Sequence, residues 1–141
     1  ARGNAVFEKR ADNLLATLDR ISLDIGSSSA SIDSYIKEGF GCVLDLGADD
    51  LFFYVKGQSY AYRLILRGLR KDFAEIIATR DIANSWDDME KSFDSIVAMD
   101  PLIVSNCAVD GFMFQNHLAA EGFYLLRART QLKEITNILL K

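Results

Sequence analysis

Apolar side chains recur along this chain at the spacing of helices that pack against other helices. Phe7, Ala11, Leu14, Leu18, Ile21 and Ile25 step by fours and threes, and Leu118, Leu125, Leu132 and Leu139 recur every seven. Either rhythm lines one side of an α-helix with apolar groups. The first stripe predicts a helix from about Asn4 to Ile25, with Gly26 taking the left-handed position just past its end. Ser27, Ser28 and Ser29 then predict a polar break. Ser31 is expected to cap a short second helix carrying Ile32, Tyr35 and Ile36 and closed by Gly39. The run from Phe40 to Gly47 reads as either a short strand or a buried loop, and a lone strand there would be unstable.

A long helix follows. Asp49 and Asp50 mark its expected start, where carboxylates meet the positive end of the helix dipole, and it runs to about Thr79. Leu51, Val55, Tyr62, Ile65, Leu69, Phe73 and Ile76 share one side of it. Gly57 and Gly68 each cost roughly 1 kcal/mol against alanine. With Ala61 between them they form a groove along which a neighbouring helix can approach closely, a reading preferred to a break at Gly57. Asn84 or Ser85 is expected to cap a fourth helix whose buried stripe is Trp86, Met89, Phe93 and Ile96, and Asp100-Pro101 ends it. Leu102 to Phe114 reads as irregular, with Asn106, Asp110 and Gly111 as turn formers, and the last helix starts near Asn116 and runs to the C-terminus. The pattern predicts an all-α single domain, an antiparallel bundle of about four main helices with short accessory segments.

Composition narrows the picture only a little. The 141 residues carry a formal charge of −4, which argues against general nucleic-acid binding because phosphate neutralisation drives it. No stretch approaches the roughly twenty apolar residues that span a bilayer, and no signal peptide is evident. The chain begins Ala1-Arg2-Gly3 and not with methionine, so it reads as a fragment, a processed product or a tagged piece of a longer protein. Cys42 and Cys107 are too few and too far apart for a zinc framework. They read as two small buried hydrophobes, or as a pair if an oxidising compartment and the fold bring them together, which closing so long a loop would make worth on the order of 4 kcal/mol.

Candidate chemistry is sparse. His117 and Glu121 are four residues apart and both could face one metal ion, yet zinc wants three or four protein ligands and no second histidine exists, so no metal or cofactor is expected. A Ser-His or Cys-His pair for acyl transfer is formally possible but no motif accompanies it, and no catalytic residue is assigned. Asp45, Asp49 and Asp50, and again Asp87, Asp88 and Glu90, provide paired carboxylates of the kind a glycosidase uses, although helix starts explain them as well. Arg63, Arg67, Arg70 and Lys71 make a basic stripe that either contacts anionic head groups or an acidic protein, or is a solvated face paired with nearby acids. Most of Phe52, Phe53, Tyr54, Tyr60 and Tyr62 are expected in the core, with tyrosines at the edge lining an interface.

Three segments carry a resemblance. Asp49-Asp50-Leu51-Phe52-Phe53-Tyr54-Val55-Lys56-Gly57-Gln58, Met99-Asp100-Pro101-Leu102-Ile103-Val104-Ser105-Asn106, and Asn116-His117-Leu118-Ala119-Ala120 continuing into Gly122-Phe123-Tyr124-Leu125-Leu126-Arg127-Ala128-Arg129-Thr130 resemble an uncharacterised family of proteobacterial inner-membrane-anchored proteins, a domain of unknown function. The resemblance implies a short cytoplasmic start, one membrane helix and a large periplasmic portion, of which this chain is the C-terminal part. It also makes a Cys42–Cys107 bridge possible, and it offers no catalytic residues to transfer.

The leading expectation is a non-catalytic interaction or scaffolding domain of a bacterial envelope protein. It would meet a protein partner or a second copy through a helical face carrying Gly57, Ala61 and Gly68 with Arg63, Arg67 and Lys71. Membrane contact would come through an upstream anchor on the periplasmic side of the inner membrane. The alternative is a small-molecule-binding or hydrolytic domain with a polar pocket of Asn106, Asp110, Asn116 and His117. A cytosolic acidic adaptor or immunity-type protein is a third reading.

Overall fold

The structure is a computed structural model and describes residues 10–39, 41–43, 45–108 and 115–141. Among these, five helices follow one another: α1 (Ala11–Glu38), α2 (Leu46–Asp72), α3 (Ala74–Thr79), α4 (Ala83–Ala98) and α5 (His117–Leu139). The four long helices form a closed ring. Tyr62 and Gln58 of α2 reach Asp24 and Ser28 of α1, Arg67 and Arg70 of α2 reach Asp94 and Glu90 of α4, and Ser92 and Ser85 of α4 reach Gln131 and Glu134 of α5. Across each contact the numbers run in opposite directions, so neighbours are antiparallel. The ring closes where α5 meets α1, with Gly122 beside Ile32 and Arg129 beside Gly26. The antiparallel all-α bundle is the architecture the periodicity predicts.

The stripes of α4 and α5 are buried as expected, with Trp86, Met89, Phe93, Ile96, Leu118, Leu125 and Leu132 fully inside and Leu139 nearly so. In α1, Leu14, Leu18, Ile21 and Ile25 line the core, while Phe7 and the expected helix start at Asn4 lie outside the described residues. Several boundaries need correction. Gly26 and Ser27–Ser29 do not end α1, and Ser31 caps nothing; the helix runs through to Gly39, whose φ of 71° gives the left-handed stop. Two of the serines in this stretch, Ser28 and Ser31, have hydroxyl partners within or across the helix. Ser28 Oγ reaches the Asp24 carbonyl at 3.3 Å and Gln58 Oε1 across the interface at 2.6 Å, and Ser31 Oγ donates to the Ser27 carbonyl.

The start of α2 is Asp45 and not Asp49 or Asp50. Its carboxylate accepts from the backbone N–H groups of Gly47 and Ala48 at 3.1 and 3.3 Å, and from the Tyr35 hydroxyl at 2.6 Å. The helix passes Gly57 without a break, as preferred, but turns at Phe73, so that α3 is a separate short piece before Thr79. Leu66, and not Ile65, is the core residue at that turn of α2. Ile82 occupies the cap position of α4 without a side-chain bond, leaving Asn84 and Ser85 inside the helix. Ser85 bonds Glu134 instead. Of the Phe40–Gly47 run, the described residues before Leu46 are loop, and Leu46 and Gly47 open α2.

Cys42 and Cys107 form a disulfide that ties the α1–α2 loop to the connection between α4 and α5. The reading as two buried free thiols is overturned, for Cys42 is exposed and paired.

Candidate functional site

The polar residues before α5 converge, with the exception of Asp110, which lies outside the described residues. Asn116 caps α5 by accepting from Ala119 N at 2.7 Å, and its amide donates to Asn106 Oδ1 at 3.1 Å and to the Cys107 carbonyl. The Asn106 backbone N–H in turn donates to the Cys42 carbonyl at 3.1 Å. The Ser105 backbone N–H donates to His117 Nδ1 at 3.1 Å, and the His117 backbone N–H donates to the Ser105 carbonyl at 3.0 Å. With Nδ1 an acceptor, the ring proton of the neutral imidazole sits on Nε2. Burial pushes the His117 pKa below its ordinary value, which keeps the ring neutral at pH 7.

Ser105 Oγ lies 3.0 Å from His117 Nδ1, which looks at first like a nucleophile and its base. Its hydrogen, however, goes to the Gln115 carbonyl oxygen. The cluster is a two-sided clamp on the segment from Ser105 to Cys107, covalent on the Cys42 side and hydrogen-bonded on the α5 side. Beside it opens a cavity of about 490 Å³ bordered by Met99, Asp100, Gln115, His117 and Tyr124. Nδ1 of His117 is engaged by the Ser105 backbone N–H, and Glu121 is buried in the core. Among the described residues no group of three His, Cys, Asp or Glu side chains is placed to hold a metal ion.

The other candidate surface is α2. Gly57, Ala61 and Gly68 are all exposed, and a Cβ built on either glycine meets nothing within 4 Å, so no other helix among the described residues lies in their groove. The basic stripe belongs mainly to the fold. Arg63 and Arg67 both pair with Asp94, and Arg70 holds Asp87 at 2.6 Å and Glu90 at 2.9 Å, which crosslinks α2 to α4. Those acids, two of them in the carboxylate cluster at the start of α4, therefore have structural partners. Lys71 remains exposed, with no ion pair among the described residues. Of the aromatic patch only Phe52 is fully buried, and Tyr62 is half-buried with its hydroxyl on Asp24 at 2.7 Å. Phe53, Tyr54 and Tyr60, with Leu64 and Ile65, are 45, 65, 50, 49 and 46 % exposed. The expectation that most of these aromatics are core is thus corrected. They sit on the outward side of the helix, where they line an open face.

The sequence reading takes Glu121 only as a metal partner. It is fully buried, neither carboxylate oxygen has a hydrogen-bond partner among the described residues, and burial raises its pKa to about 8 against a weak opposing pull from Lys56. The signal for it was present. In α5 the buried positions Leu118, Glu121, Leu125, Ala128, Leu132, Ile135 and Leu139 alternate by threes and fours, and Glu121 occupies a core position of that stripe.

A family model described as an uncharacterised protein conserved in bacteria matches residues 45–141, more than half of the chain. The match takes in α2 to α5 and Cys107, while α1 and Cys42 precede it. No curated protein and no solved structure matches the chain.

Proposed function

The chain belongs to DUF2333, a family of uncharacterised proteins conserved in bacteria, and from that premise we propose that it is a non-catalytic interaction domain of a bacterial envelope protein. The outward face of α2 carries this reading. From Phe53 to Gly68 the positions on that side are Phe53, Tyr54, Gly57, Tyr60, Ala61, Leu64, Ile65 and Gly68, all exposed and none charged. They extend over roughly 22 Å of helix. An uncharged aromatic and aliphatic surface that no other described element covers is the composition of a protein contact.

The envelope location draws on the Cys42–Cys107 bridge, because such crosslinks persist in oxidising compartments such as the periplasm. No helix among the described residues is long and apolar enough to cross a membrane. The anchor in this reading is therefore a segment outside them, holding the domain on the periplasmic side of the inner membrane. Two measurements test the proposal. A photo-reactive amino acid at Tyr54 or Tyr60 should give protein adducts in cells of the native organism, while one at Thr130 on α5 should not. The absence of adducts from the α2 face rejects the interaction reading. Thiol trapping should find both cysteines oxidised in the full-length protein, and free thiols would reject the envelope location.

A further inference from the structure

We infer that the partner of the α2 face is a second copy of this chain, paired antiparallel about a twofold axis that passes between Tyr60 and Ala61. The inference rests on reading α2 as an interaction face and adds what covers it. Asp50, Phe53, Gly57, Tyr60, Ala61, Leu64, Gly68 and Lys71 follow one another by steps of one, three and four, so they form a single outward seam. All eight are exposed. Large and small residues along the seam are placed in opposite order about its midpoint. In the antiparallel pairing Tyr60 meets the partner's Ala61, Leu64 meets the partner's Gly57, and Phe53 meets the partner's Gly68. Each bulky group then faces a position with little or no side chain, which allows two helix axes to approach closely.

Charge fixes the same register. Asp50 and Lys71 stand at the two ends of the seam and neither makes an ion pair among the described residues. The axis that matches large to small also sets Asp50 against the partner's Lys71, twice per dimer. A parallel pairing would instead put Asp50 on Asp50 and Lys71 on Lys71. An isologous contact of this kind closes on itself and leaves no free seam to propagate. Two helices in contact over roughly 31 Å bury an area at the low end for specific complexes, so the dissociation constant is expected on the order of micromolar.

The test is sedimentation velocity on the 141-residue chain over a concentration range of roughly 1 to 500 μM, a span chosen to bracket that affinity. Wild type should pass from monomer to dimer. Asp50→Lys and Lys71→Asp each turn two attractive pairs into repulsive ones and should raise the dissociation constant roughly tenfold, while the double swap restores it. Thermal melts of the three variants confirm that each is folded. Ala61→Cys, beside the axis, should crosslink to itself on oxidation, and Thr130→Cys should not. A chain that stays monomeric throughout overturns the inference, and so does a dimer indifferent to the swaps or one that does not crosslink at Ala61. Monomers that bind anionic vesicles through this face overturn it as well. If the adducts from Tyr54 or Tyr60 in cells hold a different protein, self-pairing fails while the interaction reading stands; absence of any adduct removes both.

Discussion

Replacing Glu121 by glutamine should flatten the pH dependence of this protein's stability. The carboxyl titrates near 4.5 when solvated and is pushed up to about 8 in the folded core, where no donor among the described residues meets either oxygen. Between these two values the folded state keeps the proton while the unfolded state releases it. The unfolded state then binds fewer protons, so stability falls as pH rises. The loss begins above about pH 4.5, is complete a little above pH 8, and does not return at higher pH. The interval of about 3.5 pH units, at about 1.4 kcal/mol each, sets a ceiling near 5 kcal/mol. Local rearrangement that admits water to the ionised carboxylate lowers the observed loss to about 2–4 kcal/mol.

Urea titrations of wild type and Glu121→Gln at half-unit steps from pH 4.5 to 9 give the comparison directly. Wild type should lose about 2–4 kcal/mol more than the variant across that range, with most of the divergence between pH 5 and 8. Glu121→Leu, which removes the polar atoms while keeping comparable bulk, should be more stable than wild type at pH 8 by a similar amount. Parallel curves for wild type and Glu121→Gln would refute the reasoning. They would mean that the carboxylate is solvated or paired in the folded protein and that its burial carries no such penalty.

Three further outcomes follow from other parts of the fold. Reduction, or Cys42→Ala with Cys107→Ala, should lower the unfolding free energy by about 4 kcal/mol in the loop-entropy model for a separation of 65 residues, measured by denaturation with and without reductant. Asp45→Ala should cost about 1–2 kcal/mol by uncapping α2, and a double-mutant cycle with Tyr35→Phe should show clear non-additivity because the two side chains share a 2.6 Å bond. Gly39→Ala should cost about 1 kcal/mol from its φ of 71° alone, since an added methyl meets nothing within 4 Å; an unchanged melting temperature would contradict that.

How much of this was legible depended on whether the deciding interaction was local. The stripes of α4 and α5 could be read from spacing because burial alone positions Trp86, Phe93, Leu125 and Leu132. The continuity of α1 could not. Gly26 and three serines signal a stop locally, and what overrides them includes a bond from Ser28 to Gln58, thirty residues away. At the start of α2 three acids compete for the cap position within six residues. Asp45 wins because its oxygen also serves Tyr35, ten residues earlier on another helix. On the outward face of α2, residue type alone points the aromatics to the core. Their spacing separates Phe52 and Val55, which are buried, from Phe53, Tyr54 and Tyr60, which are not. Glu121 is legible in the sequence, since a charge on a core stripe is the informative exception to a hydrophobic pattern.

Proton placement at the end of the bundle is the reason for proposing the α2 face, and not the polar cluster, as the place where a partner binds. Activation of a serine requires its hydroxyl hydrogen to point at the base. The Ser105 hydroxyl donates to the Gln115 carbonyl, and Nδ1 of His117, 3.0 Å from that hydroxyl, accepts the Ser105 backbone N–H. Asn116 has its oxygen on Ala119 and its amide on Asn106 and Cys107. These groups are committed to holding the 105–107 segment against α5, opposite the disulfide. Freeing any one of them for substrate would leave a buried donor or acceptor unpaired, at about 1–3 kcal/mol each. The apolar side chains on the outside of α2 carry no such internal obligation. Covering them from water lowers the free energy without breaking hydrogen bonds of the kind that hold the 105–107 segment, which is why the proposed partner contact is placed there.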